Sequence, residues 1–289
     1  MTYSIIGITG RGEIGAAVQS KFPGVSSLIL HGEAGAGMIA TQAFSNPEHG
    51  QRGLALLRLG VHPDMVRSIL LENDPDAGQR QFAIMDVHGQ VAGHTGDEVT
   101  EWSGFAGIRQ GPSCIALGNS LASEDVLDAM TGRFAAEEGD LARRLIAAVR
   151  AGEQAGGELR GVQSAGVQVY KPGGGYGATA GRHVDITVYD HSDPIAEMAR
   201  CYELHRLSYF PSDEDDLIKI TPELARLLSR ILIDEGYLEG DVRETWGEAE
   251  IKAMKRFMGT ENYDNRIRDD ALIDREVLSD IKKKRSLSD

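Results

Sequence analysis

The stretch SIIGITGRGEIGAAVQSKF, residues 4–22, decides the fold, and it fits two incompatible structures. One is the first turn of a dinucleotide-binding fold, in which a G-x-G-x-x-G pattern follows a strand and opens a helix. The glycines that make this pattern are Gly10, Gly12 and Gly15. The other is a hairpin, in which strands 2–8 and 13–20 are joined by a Gly-Arg-Gly turn. The first structure predicts a dinucleotide-dependent oxidoreductase, and the second places Thr2 at the start of an internal strand.

The residues that follow this stretch favour the hairpin. A dinucleotide-binding fold needs a crossover helix between its parallel strands. Here the strand-like run 26–31 is followed by only Gly-Glu-Ala-Gly-Ala before the next strand-like run, 37–44. Glu33 lies near the position of a ribose-binding acidic residue, but a lone glycine motif is weak evidence for a nucleotide site. We therefore predict the hairpin.

The order of the predicted elements indicates an α+β fold, in which helices cover antiparallel sheets without a regular βαβ alternation. Short apolar runs bounded by turn residues predict the strands: 2–8, 13–20, 26–31, 37–44, 81–87, 90–94, 113–118, 162–170 and 184–189. His88-Gly89 is predicted to form a tight turn between two of them. Caps and periodicity predict the helices: two that begin at Pro47 and Pro63, and others at 122–137, 140–154 and 194–208.

A shift in composition divides the chain into two predicted domains. The stretch 211–216 is acidic and polar, which is typical of a linker. It separates a first domain, 1–212, from a C-terminal module, 217–289, in which every signal is helical. The helix starts are marked by Thr221-Pro222, by a capping box over 245–248 and by the run 274–283.

Composition and charge narrow the function classes. The net charge of −14 argues against broad binding to nucleic acids or anionic membranes, and the basic run 282–285 is predicted to be a solvated helix end. No stretch reaches the roughly 20 apolar residues of a membrane span, and the start lacks a signal-peptide pattern, so we expect a cytoplasmic protein. The two cysteines and eight histidines show no metal-ligand spacing. The glycine-rich loop 173–177 lacks the Lys-Ser/Thr of a phosphate loop. We expect neither a metal nor an organic cofactor.

The hairpin has a chemical consequence at Thr2. Removal of Met1 is expected when so small a residue follows it, and it would leave the Thr2 hydroxyl beside a free α-amine. Such an amine has a pKa near 8, so nucleophile and base would reside in one residue. A neighbouring cation would keep the amine unprotonated and stabilise developing negative charge. We expect Lys21, at the far end of the second strand, to return towards Thr2.

Several separated motifs of the chain resemble one bacterial and archaeal family, domain of unknown function 1028, which is placed among the N-terminal-nucleophile (Ntn) hydrolases. The motifs are TYSIIG, GEIGAAVQSKF, ATQAFSNPEHGQRGL, HTG at 94–96, ALGNSLA, GVQSAGVQVY and DHSDPIAEM. The resemblance covers about residues 2–210. It implies an αββα sandwich of two antiparallel sheets.

The resemblance also implies roles for individual residues. Thr2 would be nucleophile and base, with Lys21 as its electrostatic neighbour, and backbone amides near Thr41 and Ala43 would form an oxyanion hole. Side-chain donors would come from Gln42 or Asn119, and Gln163 and Ser164 would line the same cleft. Gln19 occupies the position at which proteasome-type relatives carry an acidic residue that helps to hold the site. Because Gln19 is neutral, the charge network that the resemblance implies around Thr2 is altered in this chain.

Together these observations predict an amidohydrolase that cleaves a C–N bond of a small-molecule or peptide-like substrate through an acyl-Thr2 intermediate. A non-catalytic binding or scaffold protein on the same fold is the first alternative, and the dinucleotide-dependent oxidoreductase is the second. The C-terminal module resembles a domain named for peptidoglycan binding, although docking, dimerisation or covering the cleft suits a cytoplasmic chain equally well. We expect a homo-oligomer.

Overall fold

The computed structural model describes residues 1–72, 74–175 and 181–287. Their contacts divide the chain into two compact units, Met1–Tyr202 and Glu203–Asp289. Each unit is described by itself below. The predicted linker at 211–216 contains a short 3-10 helix, Glu214–Asp216, and the domain limits inferred from it stay a prediction.

The stretch that decides the fold is a β-hairpin. Strand β1, Thr2–Ile8, pairs antiparallel with strand β2, Ile14–Ser20. The pairing is symmetric about Arg11, so Thr2 lies opposite Ser20. Gly12 adopts φ 76°, a left-handed conformation that glycine enters without a steric cost. The hairpin prediction is confirmed, and the dinucleotide interpretation is wrong because the segment that would have to be its first helix is a strand.

Two antiparallel sheets form the first unit. The larger one has six strands in the order β10-β9-β2-β1-β8-β7, and the smaller one has four strands in the order β3-β4-β5-β6. Besides the hairpin, the strands of the larger sheet are β7 Phe105–Gly111, β8 Cys114–Leu121, β9 Ser164–Tyr170 and β10 Arg182–Val188. Those of the smaller sheet are β3 Leu30–Glu33, β4 Gly37–Ala43, β5 Arg80–Asp86 and β6 Val91–Thr95.

The sheets share one apolar core, and helices pack on the sheets from outside it. Alternate residues of β1, such as Ile6, meet Met38 and Ala40 of the smaller sheet in that core. Helices α5 Asp125–Ala136 and α6 Leu141–Gln154 pack on the larger sheet. The remaining helices of this unit are α1 Val25–Ile29, α2 Pro47–Arg58, α3 Pro63–Glu72, α4 Asp97–Thr100 and most of α7 Pro194–Tyr209, with α2 and α3 packed on the smaller sheet.

Side-chain caps mark the starts of two long helices of the first unit. Asn46 accepts a hydrogen bond from the Glu48 N–H at the start of α2, and Asp140 accepts one from the Arg143 N–H at the start of α6. Each cap satisfies a backbone donor that has no partner inside the helix. The predicted turn at His88 also forms, with the Gly89 N–H donating to the Asp86 carbonyl.

Two features of the structure differ from the prediction, and a third prediction lies partly outside the described residues. The run 26–31 was predicted to be a strand, but α1 occupies most of it, since short apolar runs do not distinguish a strand from a buried helical turn. Strand β7 was not predicted, because its residues are only half-buried and show little alternation. The loop 173–177 is described up to Gly175, and its remainder lies outside the described residues.

The second unit is mainly helical, as predicted. Its helices are α8 Pro222–Asp234, α9 Glu248–Thr260 and α10 Arg275–Lys284, and the last turns of α7 also belong to it. They enclose an apolar core that includes Leu207, Phe257 and Val277. The unit also holds a two-stranded antiparallel ribbon that the sequence did not predict, β11 Leu217–Lys219 with β12 Leu272–Asp274. In the described residues, no helix is long and apolar enough to cross a membrane.

The helix caps of the second unit were predicted with one error. Thr221 caps α8 by accepting from the Leu224 N–H. The reciprocal bond at α9 runs from the Gly247 N–H to the Glu250 carboxylate, at 2.9 Å, and not between the residues at 245 and 248. The capping pattern was therefore recognised two residues too early.

Candidate functional site

Four small polar residues line up across four neighbouring strands at one end of the larger sheet. They lie opposite one another in register, in the order Ser164, Ser20, Thr2 and Asn119. Directly opposed residues of antiparallel strands project from the same face. The next residues along that face, Val18 and Leu117 among them, lie in the core shared with the smaller sheet. The row therefore faces the space between the sheets.

The Thr2 hydroxyl lies in a cluster of hydroxyl groups around one carbonyl oxygen. Thr2 Oγ1 is 2.9 Å from Ser20 Oγ, and both hydroxyls donate to the Met1 carbonyl, at 2.5 and 2.7 Å. Thr2 is 5% exposed in this state, with the half-buried Met1 in place. The carbonyl that precedes Thr2 is thus directly in contact with the predicted nucleophile.

A buried amide network joins this row to the smaller sheet. Gln42 Nε2 donates to the Thr2 carbonyl at 3.2 Å and to Gln81 Oε1 at 2.8 Å, and Ser4 Oγ donates to Gln42 Oε1 at 2.7 Å. Asn119 Nδ2 also donates to Gln81 Oε1, at 2.9 Å. Asn119 Oδ1 is buried without a partner among the described residues. Two of the predicted side-chain donors, Gln42 and Asn119, are therefore brought to Thr2, and both use their N–H groups within the protein.

A loop after α6 brings two charged residues to the same place. The side chain of Glu158 is fully buried and accepts hydrogen bonds from Arg160 Nε at 2.5 Å and from the Lys21 backbone N–H at 2.8 Å. Arg160 Nη2 in turn donates to the Met1 carbonyl at 3.0 Å. Three donors consequently converge on that carbonyl oxygen, and one of them is cationic.

The same pair affects the N-terminal amine. Burial lowers the pKa of the Met1 amine below its usual value, the guanidinium of Arg160 lowers it further, and the carboxylate of Glu158 opposes both. An amine with a lowered pKa is more often unprotonated near neutral pH, which is the state in which it accepts a proton.

Lys21 does not take its expected place. Its side chain is exposed, and Nζ donates to the Val162 carbonyl at 3.2 Å. Because the hairpin is symmetric about Arg11, Lys21 lies one residue beyond the pair of Thr2 and Ser20. The only cation that the described residues place on the Met1 carbonyl is the guanidinium of Arg160.

Two predicted site residues project from the other faces of their sheets. Gln19 pairs with Tyr3 on the helix side of the larger sheet, where its Nε2 donates to the Gly161 carbonyl at 3.5 Å. Thr41 precedes Gln42 in β4 and so lies on the opposite face of the smaller sheet, where Ile39 packs against the helices. Both are buried, but neither lies in the row of Thr2.

Ser164 and Gln163 have structural partners. Ser164 belongs to the row, but its hydroxyl donates to the Phe22 carbonyl at 2.5 Å and accepts from the Val25 N–H at 3.2 Å. Gln163 Nε2 donates to Asp190 Oδ1 at 3.1 Å. Both bonds tie strand ends together, so the expected part of these residues in a cleft stays a prediction.

The turn after β4 is anchored by an arginine. Ala43 adopts φ 66°, which is uncommon for a residue with a side chain. Arg80 Nη1 donates to the Phe44 carbonyl at 2.6 Å, and the guanidinium also forms two bonds to Asp74, at 2.8 and 3.0 Å. The Phe44 N–H donates to the Gln79 carbonyl and is therefore already used. The turn is rigidly held, while the oxyanion hole predicted there stays a prediction.

Sequence reasoning missed Ser20, Gln81, Glu158 and Arg160. Ser20 had a usable signal, because a hairpin centred on Arg11 places it opposite Thr2. The other three lie far from Thr2 along the chain and in segments without a recognisable motif. In the part of the chain that the structure describes, no group of His, Cys, Asp and Glu side chains is arranged to bind a metal ion.

The second unit contains a small cavity of its own. It is lined mainly by apolar side chains, including Trp246 and Met254, with the paired Arg268 and Asp270 among its polar residues. Trp246 packs half-buried against the core of this unit.

Comparison with known proteins identifies both parts of the chain. A family model described as a family of unknown function, DUF1028, matches residues 2–198, and one described as "Putative peptidoglycan binding domain" matches residues 209–280. The crystal structure of protein SPO2555 from Silicibacter pomeroyi, assigned to DUF1028, is similar at 32% identity. The match has a TM-score of 0.64 and covers 71% of this chain and 86% of that protein. No curated protein matches the chain.

Proposed function

Because this chain belongs to DUF1028, a family of unknown function, its activity has to be argued from its own residues, and we propose that it is an Ntn-type amidohydrolase with Thr2 as nucleophile. The observation that carries the proposal is the arrangement at Thr2 Oγ1, which lies 2.5 Å from the carbonyl oxygen of Met1 and 2.9 Å from Ser20 Oγ. The hydroxyl thus lies beside a carbonyl whose oxygen also accepts from other donors, which supports acyl transfer, in which the hydroxyl oxygen attacks the carbonyl carbon and such donors stabilise the oxyanion.

The layers of the first unit support the proposal at the level of the fold. Two antiparallel sheets share a core and carry helices on their outer sides, which suits the αββα sandwich of Ntn hydrolases. Fold alone does not establish activity, so the proposal depends on the site.

The reaction begins with release of Thr2. Hydrolysis of the Met1–Thr2 bond by water, catalysed by an aminopeptidase, releases methionine, frees the α-amine of Thr2 and removes the residue that covers its hydroxyl. The amine then takes the proton of Oγ1 as that oxygen attacks the carbonyl carbon of an amide substrate. The carbonyl oxygen becomes an oxyanion, and Ser20 Oγ is a donor already directed at that position.

Breakdown of the tetrahedral intermediate completes the transfer. The C–N bond breaks, the amine of Thr2 returns its proton to the leaving nitrogen, and the acyl group remains on Oγ1 as an ester. Water, deprotonated by the same amine, attacks the ester and restores the hydroxyl. Buried surroundings that lower the pKa of the Met1 amine would favour the unprotonated state of an amine one residue further in. The substrate class is a small-molecule or peptide-like amide.

Mass spectrometry of the protein from its own host tests the first step, and labelling tests the second. We expect loss of Met1, followed by acylation of Thr2 with a β-lactone, which gives a stable mass increase on the N-terminal peptide. Thr2→Ala should abolish the label and Thr2→Ser should retain it. Thr9→Ala removes a hydroxyl just beyond the far end of β1 and is the matched control, with labelling unchanged.

The opposite result would favour the alternative function. Retained Met1 in the host, together with no acylation of Thr2 after Met1 is removed in vitro by an aminopeptidase, would leave a non-catalytic binding or scaffold protein on this fold.

A further inference from the structure

We propose that Arg160 is the cation of this site and that Glu158 is the residue that positions it, a part that the sequence pattern assigned to Lys21. In this arrangement Arg160 binds the carbonyl oxygen of the acyl group that Thr2 attacks, while Glu158 holds the guanidinium in place. The inference rests on the proposed function of Thr2 and deepens it.

The geometry of Arg160 suits a cation that binds the carbonyl oxygen of the acyl group. Its Nη2 lies 3.0 Å from the Met1 carbonyl oxygen, and its Nε lies 2.5 Å from Glu158 Oε1. A guanidinium is planar and always charged, so a carboxylate bound at one edge fixes where the other donors point. With Met1 removed, the same Nη2 is available to a substrate carbonyl at that position.

The contacts of Glu158 explain how its carboxylate is stabilised in a buried position. Its side chain is fully buried, whereas that of Arg160 is 40% exposed. A buried carboxylate is costly unless it is paired and hydrogen-bonded. Both of its oxygens are used, Oε1 by Arg160 and Oε2 by the Lys21 backbone N–H. The carboxylate therefore connects the end of β2 to the guanidinium.

The backbone around this pair is itself fixed. Glu158 forms an isolated bridge with Leu121, and the Leu159 N–H donates to the Ser120 carbonyl at 3.0 Å. The Ala122 N–H donates to the Gly157 carbonyl at 3.0 Å. The loop is thus bonded to the end of β8, the strand that also carries Asn119. A group held this way is positioned before the substrate arrives, which is the condition for electrostatic catalysis.

Lys21 contributes through its backbone and not through its ammonium group. Its N–H completes the bonds of Glu158, while its side chain is exposed and reaches the Val162 carbonyl. Removal of the side chain leaves the backbone donor in place. This difference separates the two assignments experimentally.

The first experiment measures the rate at which a β-lactone acylates Thr2 in full-length protein from which Met1 has been removed. We expect Arg160→Met to lower the rate on the order of 10²-fold, as for loss of one oxyanion donor. Arg160→Lys should recover part of it, and Glu158→Gln should lower it about tenfold through lost orientation of Arg160. Arg11→Met, in the hairpin turn at the other end, is the matched control and should leave the rate unchanged.

The second experiment needs no activity. The pKa of the N-terminal amine is measured in protein that retains Met1, from the pH dependence of its acetylation by acetic anhydride. Arg160→Met should raise this pKa and Glu158→Gln should lower it, because the two charges act on the amine with opposite signs. Opposite shifts show that both charges act on the N-terminal amine, and no shift in either variant would show that the pair does not lie against it, whereas the acylation rate tests its part in the reaction.

The outcomes distinguish the two proposals. If the wild type is acylated and Arg160→Met is acylated equally fast, the assignment of Arg160 is overturned while Thr2 stands. If Lys21→Met slows acylation more than Arg160→Met, Lys21 is the cation. If the wild type is not acylated at all, the function of Thr2 fails and the part of Arg160 fails with it. Thermal melting of each variant confirms that the compared proteins are folded.

Discussion

The first unit buries neutral amides at its centre, whereas the second buries an arginine and a carboxylate. In the first, Gln42, Gln81 and Asn119 join the two sheets, and Asn119 Oδ1 has no partner among the described residues. In the second, Arg266 and Asp274 lie 2.8 Å apart with side chains 2% and 0% exposed.

The ionic centre is more completely bonded than the amide centre. Arg266 also reaches Glu276 at 2.9 Å and donates to the carbonyls of Arg206 and Phe210. Asp274 accepts from the N–H groups that open α10. A buried charge is costly unless it is paired and hydrogen-bonded, and in this network the charges of Arg266 and Asp274 are both. A neutral amide can be buried with one of its hydrogen-bonding atoms unpaired. Among the described residues of the amide centre this atom is Asn119 Oδ1, and Asn119 lies opposite Thr2.

The largest effect is expected from breaking the ionic centre. Arg266→Met leaves Asp274 buried without its charge partner, which should cost about 3 to 5 kcal/mol of the second unit's free energy of unfolding. The chain has two tryptophans, Trp102 in the first unit and Trp246 in the second, so fluorescence of Trp102→Phe protein during denaturation follows the second unit.

The matched control for that experiment is Arg268→Met. Arg268 pairs with Asp270, and both side chains are about a third or more exposed. Loss of such a pair should cost less than about 1 kcal/mol. Equal losses for the two variants would show that the buried network is not the structural centre of the unit.

A smaller effect is expected from breaking the amide centre. Gln81→Leu removes the acceptor that Gln42 and Asn119 share, together with the amide that donates to the Gly118 carbonyl, and should cost the first unit about 2 to 3 kcal/mol. Denaturation followed by Trp102 in Trp246→Phe protein measures it. Gln163→Leu is the control, because its amide bonds at the surface, and a cost as large as that of Gln81→Leu would contradict this account.

The smallest effect is a loss of stability as the pH falls, and it is confined to the first unit. His49 is buried 3.1 Å from Asp74, and burial lowers its pKa below 6.5, with Asp74 opposing and Arg80 adding to that shift. A lowered folded-state pKa means that the unfolded chain binds the proton first, so stability is complete above pH 6.5 and falls as the pH drops below it. His49→Gln should flatten this loss, measured as unfolding free energy between pH 7 and 5.

The carboxylate beside His49 responds at lower pH. The hydrogen bonds from Arg80 lower the pKa of Asp74, so the stability from that pair is complete above the ordinary pKa of an aspartate and is lost as the pH falls from there through the lowered value. His62→Gln, the same substitution at an exposed histidine, is the control. An unchanged profile in His49→Gln would show that His49 is not the group that titrates.

The hairpin could be predicted from sequence because its signals are local. Turn glycines, apolar strands and the missing crossover helix all lie within about 40 residues, and the register about Arg11 even contains the pair of Thr2 and Ser20. The prediction placed Lys21 beside Thr2 because it considered position along the chain and did not consider that successive residues of a strand project from opposite faces of the sheet. A count from the turn would have corrected it.

The charge pair could not be predicted in this way. Glu158 and Arg160 lie in a loop whose residues show no motif, and Arg160 reaches the Met1 carbonyl from a loop that is bonded to β8. Gln81 pairs with Gln42 across neighbouring strands of the smaller sheet, and it meets Asn119 through the packing of the two sheets. Contacts between segments so far apart depend on the assembled fold, and a single sequence carries little information about them.

Because the hairpin is symmetric about Arg11, the length of the turn at 9–13 determines which residue of β2 lies opposite Thr2. Removal of one turn residue, with the loop size kept, would slide β2 so that Lys21 lies opposite Thr2, and an added residue would bring Gln19 there instead. Either slip would turn every side chain of β2 to the opposite face, exchanging its core-facing and helix-facing residues at once. Substitutions in the turn should therefore be tolerated far better than insertions or deletions, because a substitution keeps the register of the two strands and a change of length shifts it.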